Sequence, residues 1–122
     1  MRPSWNYYFL SLAKLVSTRS TCPRAQVGAV IVRDKRIIST GYNGAAPGEP
    51  HCTEIGCLMV DGHCLRAIHA EMNAIAQAAR FGISVEGAML YLYDSRHRPP
   101  CSKCRQLILA SGIVGVVKDD QL

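Results

Sequence analysis

No stretch of this 122-residue chain approaches the run of about 18 apolar residues that a membrane-spanning helix needs. No membrane role is indicated, and a soluble protein is expected. The N-terminus, MRPSWNYYFLSLAKLVSTRS, lacks the small-residue cleavage pattern of an export signal and carries charge again at Lys14. A cytoplasmic, reducing location follows as an expectation. Internal repeats and low-complexity tracts are also missing, and the length fits a single domain over residues 1–122 with a core of its own. Acidic residues are few, nine Asp and Glu against fourteen Lys and Arg, for a net charge of +5. That balance suits an anionic partner such as a nucleotide or polynucleotide, although scattered basic residues also simply solvate a surface.

What is present is cysteine, six residues in all. In a reducing compartment thiols act as metal ligands, catalytic groups or buried apolar residues rather than as disulfides. Three of the six, with two His, fall within HCTEIGCLMVDGHC, residues 51 to 64. This segment lies in a Gly- and Pro-rich loop spanning 43–65, and loops of that length carry a function or their own tether.

Elsewhere the pattern is regular. Phe9, Leu12, Ala13 and Val16 recur at helical spacing behind Ser4, which predicts a helix over 5–18 with Ser4 as its cap. VGAVIV and RIISTGY are β-branched runs separated by a polar turn at Asp34 and Lys35, a hairpin. Ile68, Met72, Ile75 and Ala79 predict a second helix over about 67–81, stopped by Phe81-Gly82. A strand GAMLYLYD, a helix in CSKCRQLILASG ending at Gly112, and a strand IVGVV complete the order αββαβαβ. Strands alternating with helices after an initial hairpin predict a three-layer α/β/α sandwich with a mixed sheet.

Two helix starts carry the chemistry. His69-Ala70-Glu71 opens one, and Pro100-Cys101-Ser102-Lys103-Cys104 opens the next. Cys101 and Cys104, three apart on a first turn, face the same way, and the unpaired N–H groups there favour thiolates. One neutral His and two thiolates neutralise Zn²⁺ and leave the fourth tetrahedral position to water, the pattern of a catalytic rather than a structural zinc. Glu71 would then shuttle protons rather than ligate. A CxxC redox pair, a core His or a capping Glu would each be a sufficient reading of one motif alone, but none accounts for both. HxE with PCxxC is the signature of the zinc deaminases.

Through RPSW, STCPRAQVGAVIVRD, STGYNG, DGHCLRAIHAEMNAI and PCSKC, the whole chain resembles the deoxycytidylate (dCMP) deaminases of the cytidine deaminase-like fold, especially the bacterial late-competence type. The resemblance implies hydrolysis of dCMP to dUMP and ammonia, feeding thymidylate synthesis, in a homo-hexamer tuned by dCTP and dTTP. It implies that Glu71 is the proton shuttle, that Asn43 bonds the sugar, that Val27 and the Ala70 backbone line the base pocket, and that Arg80 belongs to an effector response. From local sequence alone Asn43 is equally a turn residue and Arg80 an exposed helix residue. The chain departs from the family in YDSRHRP, which is longer and more basic than the usual link; Arg96, His97 and Arg98 there either reach a phosphate or form a solvated loop. It also ends soon after the IVGVV strand, where relatives continue through another helix and strand.

With His69, Cys101 and Cys104 assigned to a catalytic zinc, Cys22, Cys52, Cys57 and Cys64 remain as a full tetrahedral set, with His51 and His63 as neighbouring alternatives. Relatives of the phage and bacterial type often carry a second, structural zinc there, and the competing reading is buried free thiols. Two rival functions share parts of the pattern. A tRNA adenosine deaminase has HAE and PCxxC but not the GYNG-to-HC loop, so a nucleic-acid partner is not favoured. A catalytically silent zinc module in DNA uptake or assembly would have no need of Glu71.

Overall fold

The computed structural model describes residues 1–60, 63–64 and 68–119, with backbone alone at 55, 60, 63 and 64. Helix α1, Trp5–Ser17, begins as expected, with Ser4 Oγ accepting from the Tyr7 N–H at 3.1 Å. Strands β1, Val27–Arg33, and β2, Arg36–Tyr42, form the hairpin. Its two-residue turn puts Asp34 and Lys35 at φ 55° and 60°, the twist that matches a right-handed hairpin.

The loop expected over 43–65 contains short structure of its own: α2, Cys52–Ile55, then paired strands β3, Met59–Val60, and β4, His63–Cys64. Helix α3, Ala70–Arg80, strand β5, Met89–Asp94, helix α4, Ser102–Ser111, and strand β6, Gly115–Lys118, complete the chain. Gly112 ends α4 in the left-handed region at φ 92°, where glycine carries no Cβ penalty.

The main sheet has the order β2-β1-β5-β6, with β1 antiparallel to both β2 and β5 and β6 parallel to β5. Alternate residues of β1 feed two cores, as the pleat requires. Val30 and Val32 pack with Phe9, Leu10, Ala13 and Tyr91 under α1. Val27, Ala29 and Ile31 pack with Ala70, Ala74, Ala78, Leu90, Leu92 and Ile108 under α3 and α4. The mixed sheet between helical layers is the architecture expected. No helix among the described residues is long and apolar enough to cross a membrane.

The second helix starts later than the expected residue 67: Ile68 precedes it, held extended by a two-way backbone bridge with Gly44 (3.1 and 2.7 Å). Its buried positions are Ala70, Glu71, Ala74 and Ala78, with Ile75 partly buried against the same core. Small side chains face the sheet because α3 lies almost on it: a Cβ at Gly41 would collide with the backbone of Ala70 and Ala74. Gly28 plays the same part on the other face, against the Ala13 carbonyl of α1.

Candidate active site

The close seating of α3 fixes where its first residue points. Ser39 Oγ donates to the Ala74 carbonyl at 2.6 Å, and Asn73 Nδ2 donates to the Tyr42 carbonyl at 2.7 Å. His69 occupies the N-cap of α3 and Cys101 the N-cap of α4, both extended and neither making a side-chain cap hydrogen bond. Their side chains are thereby left for another partner, beyond the ends of β2 and β5. Cys104 follows on the first turn of α4 and is fully buried.

His69 Nδ1 lies 3.3 Å from Cys104 Sγ and 3.5 Å from Cys101 Sγ. All three ligand atoms fall within 4.8 Å of one another, and among the described residues this is the only such group. Tetrahedral zinc bonds of ordinary length would separate these atoms by about 3.6–3.8 Å. The residues therefore fit the ion in number, donor type and spacing. Burial, with the charge of Glu71 and the neighbouring Cys101, pushes the Cys104 thiol well above its usual range. That burial favours the neutral form of Cys104, and a bound cation inverts the preference.

Glu71 is only 4% exposed. Burial raises its pKa above the ordinary carboxylate value; its own backbone N–H and His69 oppose the shift, while nearby Asp94 adds to it. A carboxyl shifted upward in a cleft is suited to both accepting and returning a proton near neutral pH.

These groups open onto a cleft of about 250 Å³, also lined by Val27, Asn43, Ala70, Arg24, Asp94 and Arg98. Asn43 is held by the chain itself: its Oδ1 accepts from the Val27 N–H at 2.9 Å and its Nδ2 donates to the Ala25 carbonyl at 2.8 Å. It thus fixes the start of β1, and one amide N–H remains for a ligand. Arg80 stands apart, exposed on α3 beside the Phe81 ring. Of the basic segment, Arg98 reaches the cleft wall while Arg96 is exposed. Arg24 and Asp94 also line the cleft but were not singled out by the sequence reading. The one available signal was a carboxylate closing the apolar strand GAMLYLYD.

The Cys-rich region is differently placed. Cys22 and Cys52 are buried and Cys57 half-buried, and the Thr53 N–H donates to the Thr21 carbonyl at 3.2 Å, tying α2 to the segment that bears Cys22. His51 Nδ1 is buried without a hydrogen-bond partner, an orphan that a cation would satisfy. The side chains of Cys64 and His63 lie outside the described residues.

A mixed sheet with a three-ligand metal group at two helix starts, and a buried carboxyl beside it, defines the class: an α/β/α protein with an open metal centre. The chain belongs to the cytidine and deoxycytidylate deaminase zinc-binding family, whose model matches residues 3–118. It is 52% identical over 112 residues to ComE operon protein 2 of Bacillus subtilis (strain 168), covering 92% of this chain but 57% of that protein. It is 41% identical to the deoxycytidylate deaminase of Mycobacterium phage D29, covering 95% of this chain and 94% of the phage protein. In structure it matches dCMP deaminase from cyanophage S-TIM5, solved with dCMP and dUMP, at a TM-score of 0.80 and 29% identity, covering 97% of this chain and 82% of that one.

Proposed function

We propose that the chain deaminates dCMP to dUMP and ammonia by zinc-dependent hydrolysis, supplying thymidylate synthesis. The observation that carries this reading is the His69, Cys101 and Cys104 group, with His69, Cys101 and buried Glu71 lining one cleft. Those three residues would hold Zn²⁺, which when bound supplies an acidified, nucleophilic water. Glu71 takes the proton that water releases and hands it to N3 as the oxygen adds to C4; it then takes the second proton from the hydroxyl now on C4 and gives it to the amino group, which leaves as ammonia as the C4 carbonyl forms. Val27 and the Ala70 backbone line the base side of the cleft, and the remaining Asn43 N–H serves the sugar. The net charge of +5 favours an anionic nucleotide.

The test is ammonia release from dCMP, dCTP, deoxycytidine, CMP and a tRNA anticodon stem-loop. Release from dCMP is expected. Silence on the whole panel would overturn the reading in favour of a zinc module without catalysis, and release from the RNA alone would make the chain a tRNA adenosine deaminase.

The finer parts of the proposal have their own measurements. A second, structural zinc bound by Cys22, Cys52, Cys57 and Cys64, with His63 as the alternative fourth ligand, is supported by the Thr53–Thr21 backbone bond that ties the start of α2 to the Cys22 segment and predicts two zinc per chain. A homo-hexamer in the cytoplasm, with dCTP and dTTP acting through the region of Arg80, is tested by light scattering and by kinetic titration with each nucleotide.

A further inference from the structure

The basic segment from Asp94 to Pro99 is an arm that lines the cleft through Asp94, Arg98 and Pro99. The Asp94 carbonyl closes a turn with the His97 N–H at 2.8 Å, and Asp94 Oδ1 accepts from the Arg96 N–H at 2.7 Å. Ser95 is bonded to Gln26 in both directions, its N–H to the Gln26 carbonyl and its Oγ from the Gln26 N–H, each at 2.9 Å. The His97 ring sits 2.9 Å from buried Asp119 Oδ2, and Lys118 Nζ donates to the His97 carbonyl at 3.2 Å. Backbone and side chain alike tie the arm to β1 and to the end of β6, so little ordering remains to be done on binding.

Arg98 is the residue the arm presents. Its Nε donates to Asp94 Oδ2 at 3.0 Å, from a side chain 48% exposed to a carboxylate 7% exposed. A contact through Nε alone leaves both terminal nitrogens, the forked edge that matches two oxygens of a phosphate. Arg24 lines the same cleft, so a second cation offsets the charge that Asp94 brings.

We infer that Arg98, oriented by Asp94, is the specificity residue that selects a 5′-phosphorylated nucleoside over the unphosphorylated one. The inference rests on the proposed function, and its test separates the two. Rates on dCMP and deoxycytidine, and calorimetric binding of dUMP and deoxyuridine, are measured for the zinc-loaded protein, Arg98→Gln, Arg98→Lys and Arg36→Gln. Arg36 begins β2, in the hairpin turn at the far end of β1 from Val27, and its loss controls for net charge.

In Arg98→Gln the preference for dCMP over deoxycytidine is expected to fall about 10- to 100-fold, the scale of one lost charge-assisted contact, chiefly through KM. Arg98→Lys should retain part of the preference, and Arg36→Gln should leave it unchanged. An unchanged preference in Arg98→Gln, or an equal loss in Arg36→Gln, would overturn the inference. Should no nucleotide be deaminated, the proposed function falls, and binding still decides: dUMP held no tighter than deoxyuridine, or held equally by Arg98→Gln, rejects Arg98.

Discussion

Residues 51–64 carry two His and three Cys on a four-residue helix and a pair of two-residue strands, whereas His69 and Cys101 are 32 positions apart and sit at the starts of two full helices. The first region is dense in donors and short of framework. The second is sparse in donors and rigidly framed, each ligand fixed by a helix packed on the main sheet. Reactivity needs the second kind of construction, because a metal with every position filled by protein has nowhere to put a substrate. A donor-rich loop is instead suited to closing on an ion and staying shut.

The sharpest way to break the contrast is to exchange the fates of one thiol from each region. Cys104→Ser should lose the catalytic metal and essentially all ammonia release, since a buried thiolate ligand has no local substitute; metal content and rate measured together check it. Retention of both would reverse the assignment of the two regions.

Next in size, Glu71→Gln should lower turnover by about 10²–10⁴-fold while zinc content stays the same, the signature of a lost proton shuttle beside an intact metal site. A parallel loss of zinc would instead make Glu71 part of the metal framework. Smaller still, Cys57→Ser should remove one zinc per chain and lower the melting temperature, yet leave ammonia release by the folded protein close to normal. If rate falls with the zinc, the loop shapes the cleft directly.

The smallest effect concerns pH. Glu71 has a folded-state pKa raised chiefly by burial. Its contribution to stability is therefore fully present below the unfolded carboxylate value and is lost as pH rises through the folded one. In zinc-free protein, Glu71→Gln should be more stable than the parent at pH 8 and lose that advantage toward pH 4, as read from urea unfolding.

Much of this contrast was legible in the sequence because the informative features are local. The hairpin turn, the cap at Ser4, the stop at Gly112 and both ligand-bearing helix starts are written in neighbouring residues, and the structure brings His69, Cys101 and Cys104 together. The small buried residues of α3, Ala70, Ala74 and Ala78, carry no weight in a periodicity of large apolar residues, because they are set by how closely the helix approaches Gly41. Asn43 shows another limit. Its amide is held by the backbone of Ala25 and Val27, partners that lie 18 and 16 positions earlier and leave no mark on the motif. Arg24 and Asp94 join the cleft from distant segments for the same reason.

Gly28 and Gly41 matter in another way. Each lets a helix rest directly against the sheet, one on either side, and neither touches the cleft. Under selection for activity both positions should nonetheless resist change as firmly as a metal ligand, since any side chain there wedges a layer away from its neighbour. Mutational intolerance in this chain will thus mark two separate populations of residues, those that do the chemistry and those that let the layers close, and survival alone will not tell them apart.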